Sequence, residues 1–180
     1  DLIRSGVHGS EFYRNLWDTV ASGKIWHGEI INRRKDGSHY PEEMTIAPVK
    51  NSEGVIINYI AIKQDITERK FASDILNSRL DLLNYSENNS LEELMIKALD
   101  EVEKFTGSSI SFFNLVDENQ NSLTLQAWST ATSEKFCNAE VKGLHYMVSD
   151  AGIWADCVRE RKTVIHNDYM NHPHRKGLPE

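Results

Sequence analysis

Apolar residues recur at spacings of three and four over residues 11–22, then alternate with polar ones, then return to a period near 3.6 after residue 67. That order predicts a helix, a group of strands and a second helix. Ser10 is placed to cap the first helix, whose apolar face carries Phe12, Leu16 and Val20, and Gly23 ends it. Strands are predicted over 25–33, 38–50 and 55–63, separated by Lys35-Asp36-Gly37 and Asn51-Ser52-Glu53-Gly54 turns. The third strand is apolar almost throughout (Val55, Ile56, Ile57, Tyr59, Ile60, Ile62), which predicts a central position buried on both faces. Pro41 and Pro48 donate no ladder hydrogen bond, so each is expected at an edge or a strand end. Asp65 or Thr67 can cap the next helix, 68–83, with Glu68 favourable beside its positive end.

Residues 85–89 form a polar break, and Ser90 with Glu93 then makes a capping box. Leu91, Leu94, Met95, Ala98, Leu99, Val102 and Phe105 trace one helical face, closed by Thr106-Gly107. Strands are expected over 109–116, 123–129, 144–148 and 163–166, with an irregular loop over 130–143. A helix over 151–162, capped by Ser149 or Asp150, would bury Ile153, Trp154, Cys157 and Val158. The chain therefore reads as α+β.

Composition narrows the function. The net charge is −7, and the one basic cluster, Arg33-Arg34-Lys35, is too short for a nucleic-acid patch and is read as a solvated hairpin tip. No apolar run approaches the roughly 18 residues a membrane span needs, and no signal peptide opens the chain. Two cysteines, Cys137 and Cys157, make no disulfide scaffold, and both are read as buried or half-buried residues of a cytoplasmic protein. The chain opens on Asp1, so its natural start is expected upstream.

No phosphate loop and no nucleophile elbow appears. Glu42 and Glu43 are adjacent on a strand and point to opposite faces, so they form no carboxylate pair. No catalytic residue is assigned. His172-Pro173-His174, with His166, His145 and Cys137, lacks the ligand spacing of a zinc site and is read as a solvated loop, with no metal and no evident cofactor. Phe112, Phe113, Trp128, Tyr146 and Trp154 are candidates either for plain core packing or for the lining of an apolar ligand pocket.

Two stretches carry family likenesses. Trp26-His27-Gly28-Glu29, Asn32 to Gly37, Thr45 to Val49 and the closing Asp65-Ile66-Thr67-Glu68-Arg69 resemble the last three strands of a PAS domain. The run from the helix at Leu91 through Gly143-Leu144-His145, Gly152-Ile153-Trp154 and Thr163 to Asp168 resembles a GAF domain. The resemblance implies a partial PAS domain over 1–67, a three-strand antiparallel meander without the earlier strands and helices that enclose the family's ligand cavity. A signalling helix over 68–89 and a GAF domain over 90–180, lacking its last strands and closing helix, would follow.

It further implies a sensory and relay module in which Asp65, Thr67 and Glu68 pass a change in the sheet to the helix. The parent would be a bacterial or archaeal sensor histidine kinase of a two-component system. A cyclic-dinucleotide enzyme, a transcription regulator and a non-sensing dimerisation scaffold are the alternatives. Ala72, Leu76, Arg79 and Leu83 lie at coiled-coil spacing and suggest a homodimer through the linker helix, with packing on a neighbouring domain as the other reading. Phe113, Trp128, Tyr146 and Trp154 would face a small-molecule ligand in the GAF domain.

Overall fold

A computed structural model describes residues 5–136 and 145–175. The chain divides into two compact units, Asp1–Asn77 and Ser78–Glu180.

In the first unit, α1 (Ser10–Ala21) starts at Ser10 itself, and Gly9 stands at its N-cap with no side-chain cap. The expected serine cap is thus an ordinary first-turn residue. Three antiparallel strands follow, β1 (Trp26–Arg33), β2 (His39–Lys50) and β3 (Ile56–Asp65). The first turn needs its glycine, because Gly37 takes φ 90° while its N–H reaches Arg34 O at 3.1 Å. Leu16 and Val20 of α1 pack on Trp26, Ile30, Met44 and Ile46. The last four share one face because strand side chains alternate and the register sets Trp26 opposite Ile46 and Ile30 opposite Glu42. Gly28 leaves room for the Trp26 indole, whose ring carbons lie 2.9 Å from where a Cβ would stand.

The sheet order is β1-β2-β3, which corrects the central position expected for β3. Among the described residues β3 pairs with β2 alone, and Ile57, Tyr59, Ile60 and Ile62 are exposed. Apolar content measures what a strand would gain from burial. It does not say which neighbours cover it. Each proline sits where β2 has one neighbour: Pro41 pairs only with Ile31, and Pro48 only with Tyr59.

Helix α2 (Thr67–Ser86) begins in the first unit and ends in the second. Next comes α3 (Leu91–Thr106), whose capping box forms as read: Ser90 Oγ accepts from Glu93 N–H, and Glu93 accepts from Ser90 N–H at 2.7 Å. Gly107 closes the helix at φ 68°. Strands β4 (Phe112–Val116), β5 (Ser122–Trp128) and β6 (His145–Met147) make an antiparallel sheet in that order. Leu123 of β5 is buried with Ala151 and Ala155, against which Val148, Trp154 and Val158 pack.

Four local expectations differ from the structure. The supposed loop after Ser129 starts with a helix, α4 (Thr130–Phe136), because Asp100 of α3 accepts Thr130 N–H at 2.8 Å and caps it across the fold. Residues 137–144, including Cys137, lie outside the described residues. The expected helix 151–162 is a 3-10 turn (Ile153–Ala155) and a short α5 (Asp156–Glu160), stopped where Arg161 takes φ 52°. Residues 163–166 form no strand, since no described strand lies beside them. Cys157 is exposed, not part of the buried face.

Candidate functional site

The strand-to-helix junction is where β3 ends at Asp65 and α2 starts at Thr67. Between them Ile66 is 1% exposed, and its N–H donates to Pro41 O at 3.0 Å. The first helical turn closes on the same residue, with Lys70 N–H donating to Ile66 O at 2.9 Å. Asp65 Oδ1 accepts from Thr67 N–H at 3.0 Å and from Thr67 Oγ1 at 2.5 Å. Its other oxygen takes an Arg34 guanidinium N–H at 2.6 Å. Arg34 comes from the end of the first hairpin and lies over the Tyr40 ring, 4.3 Å from its centroid. It is therefore no mere solvated charge, and its partner 31 residues away is invisible to spacing arguments.

Two further ion pairs tie the first helical turn to the sheet, Arg69 to Glu43 at 2.9 Å and Lys70 to Glu29 at 2.5 Å. Glu68 is exposed in the first turn. Glu42 and Glu43 do face opposite ways: Glu42 is buried with Asn32, Tyr40 and Lys63 around it.

The Thr67 hydroxyl, then the Thr67 N–H and the Arg34 guanidinium, hold the Asp65 carboxyl down at about 2. A carboxyl depressed in the folded state stabilises above its ordinary value. That contribution is fully present above about pH 4 and is lost as the pH falls toward about 2.

In the second unit the aromatic residues form a chain of edge contacts. Phe112 meets Trp128 at 5.3 Å and Trp154 at 5.7 Å, and Trp154 meets Tyr146 at 5.5 Å between ring centroids. Phe113, next along β4, turns to the other face and is 40% exposed. Phe112 thus stands where Phe113 was expected. Trp128 Nε1 and Asn114 Oδ1 are buried without a hydrogen-bond partner among the described residues. A surface depression of about 470 Å³ lies elsewhere, at the β4–β5 hairpin beside Cys157, Val158 and Arg161.

The histidines read as a solvated loop are gathered instead around one buried carboxylate. Asp156 is 2% exposed. Its Oδ1 accepts from Arg159 Nη1 at 2.5 Å and lies 2.8 Å from His174 Nδ1. Its Oδ2 faces His166 Nε2 at 3.4 Å and His172 Nε2 at 3.6 Å. Burial pushes the Asp156 carboxyl up, but Arg159 and His174 outweigh it and leave the group below its ordinary value. His145 is not part of this group; it pairs with Thr124 Oγ1 on the sheet.

Comparison with known proteins bears on both units. Residues 2–68 match a PAS domain model and residues 88–180 a GAF domain model. The methyl sulfide methyltransferase-associated sensor of Methanosarcina acetivorans is 33% identical over 149 residues, covering 76% of this chain and 15% of that protein. The nitrogen fixation regulatory protein of Klebsiella oxytoca is 31% identical over 88 residues, covering 49% of this chain and 18% of that one. Among solved structures, an RNA-binding light-oxygen-voltage receptor aligns at 27% identity and TM-score 0.35, over 37% of this chain and 19% of that one. The chain thus spans less than a fifth of the length of these relatives.

Proposed function

From a chain that belongs to the GAF domain family over half its length and carries a PAS domain before it, we propose the sensory and relay input module of a signal-transduction protein. Its output is that of a sensor histidine kinase of a two-component system in the cytoplasm. The sensor and regulatory relatives support this reading. The observation that carries the relay is the Asp65 clasp, in which one carboxylate holds the helix start and the sheet's first hairpin together. Such a clasp has two arrangements, made and released, and a signal that favours one shifts the helix.

Asp65→Ala and Thr67→Ala in the complete receptor are expected to cut the signal-dependent change in output by about fivefold or more, the size of an ordinary coupling energy. Asp65→Ala should also remove the acid-sensitive step between about pH 4 and about pH 2 from the junction's hydrogen-exchange protection. Unchanged signal responses in both variants sink the relay. Acid-labile phosphohistidine formed from ATP marks the kinase; cyclic dinucleotide formed from GTP marks the alternative output. A mostly apolar small molecule carrying a hydrogen-bond acceptor, held against Trp128, Tyr146 and Trp154, is the proposed signal for the second unit, supported by Trp128 Nε1, which has no partner among the described residues.

A specific observation favours dimerisation through α2. Leu76, Leu80 and Leu83 follow at spacings of four and three and are 58%, 58% and 64% exposed. We infer that a second copy of this helix covers them. Leu80→Glu removes about 2 kcal/mol of apolar burial per subunit, about 4 kcal/mol per dimer, and should weaken the dimer about a thousandfold. Sedimentation equilibrium checks this, and a wild-type monomer or an unaffected variant dimer defeats it.

A further inference from the structure

We propose that Asp156, His172 and His174 form a binding site for a divalent transition ion of the zinc class. One ligand atom from each of the three lies within 4.8 Å of the others. Two imidazoles and a carboxylate are the donor types such an ion takes, and three protein ligands with one open position are the pattern of an exchangeable rather than a structural site.

The spacing fits the ion. Bonds of 2.0–2.1 Å in a tetrahedron place neighbouring ligand atoms about 3.3 Å apart. His172 Nε2 lies 3.6 Å from Asp156 Oδ2, already close to that edge and too far for a good hydrogen bond. His174 Nδ1 lies 2.8 Å from the other carboxylate oxygen, Oδ1, so a small turn of the carboxylate or of the His174 ring is needed for one oxygen to meet both imidazoles, a movement within the 4.8 Å that spans the three ligand atoms.

The carboxylate is held in place before any ion arrives. Arg159 donates to Asp156 Oδ1 and to the backbone carbonyls of Val148, Ala151 and Gly152, so it orients the ligand as outer partners of metal-binding groups do. The loop is held as well. Asp168 accepts the Asn171 N–H, Pro173 fixes φ between the two histidines, and Arg175 N–H closes on His172 O at 3.1 Å. Seating the ion on His172 Nε2 moves the ring proton to Nδ1. That gives up the contact from His174 N–H, at 3.2 Å a long one.

An independent observation points the same way. His166 Nε2 is buried with no hydrogen-bond partner among the described residues, although it sits 3.4 Å from Asp156 Oδ2. The His166 ring lies 4.3 Å from that of His172. A buried imidazole nitrogen left unpaired beside a carboxylate is destabilising unless something else in the group takes its lone pair or its proton. His166 stands outside the three residues whose ligand atoms come within 4.8 Å of one another, so it borders the group and leaves the open position open.

The test uses the 180-residue chain stripped with chelator and titrated with Zn²⁺ by calorimetry. One equivalent is expected to bind. His172→Ala and His174→Gln should each weaken it about tenfold or more, and His145→Ala should leave it unchanged. Nitrogen-detected imidazole spectra of the wild type need no variant: Zn²⁺ should move the resonances of His172 and His174 and spare those of His27 and His39. Binding that never saturates at one equivalent, affinity retained in folded His172→Ala and His174→Gln, or unshifted His172 and His174 resonances would each overturn the site and leave a purely structural cluster.

Discussion

Alanine at position 156 is expected to loosen the second unit by about 3–5 kcal/mol, the loss seen when one member of a buried ion pair is removed and the other stays. The carboxylate is 2% exposed and is the acidic partner of Arg159. With it gone, Arg159 keeps its bonds to the carbonyls of Val148, Ala151 and Gly152 but loses its counter-charge. The tail that carries His166, His172 and His174 loses the group on which it converges. Hydrogen exchange read on peptides from β5 and α5 measures the effect, with peptides from β2 as the internal reference. Asp156→Asn keeps the shape and an acceptor oxygen, so it should lose less than the alanine variant. Protection in β5 that survives Asp156→Ala would show that the pair is a bystander of the fold.

Ile66→Ala is expected to lose about 2–4 kcal/mol from the first unit, because it removes three buried carbons from a site that is 1% exposed. The position matters more than the size. Ile66 joins the last strand to the helix, and its backbone accepts the first helical hydrogen bond while donating to Pro41. Emptying the space beneath it should therefore raise exchange in the first turn of α2 and at the end of β3 before it affects α1. Ile66→Val, one methylene smaller, should lose about 0.5–1.5 kcal/mol and keep most of the signal response. If Ile66→Ala melts the unit uniformly, the residue is ordinary core and the junction has no separate stability.

The order of elements was legible along the chain wherever the deciding interaction is short-range. Apolar spacing gave α1 its face and α3 the middle of its own, where Leu99 is buried while Leu91 and Val102 stay exposed; Ser90 and Glu93 are three residues apart, and the turns at Gly37 and Asn51 close within five residues. The Asp65–Thr67 contact was legible for the same reason, being a bond between residues two apart. The aromatic set was nearly so; a bulky residue at either Phe112 or Phe113 reads alike until a register says which faces Trp128.

Residue order alone settled α1 to α3, the turns at Gly37 and Asn51, the Ser90 cap and the switch from strand to helix at Asp65. Tertiary structure alone decided that β2 and not β3 sits in the middle, that Arg34 reaches Asp65, that Asp100 caps α4, and that three histidines close on Asp156. The division follows from distance along the chain. A hydrogen bond between near neighbours is set by a few dihedral angles. A partner tens of residues away is set only once packing has brought two elements together, and hydropathy carries no record of which two.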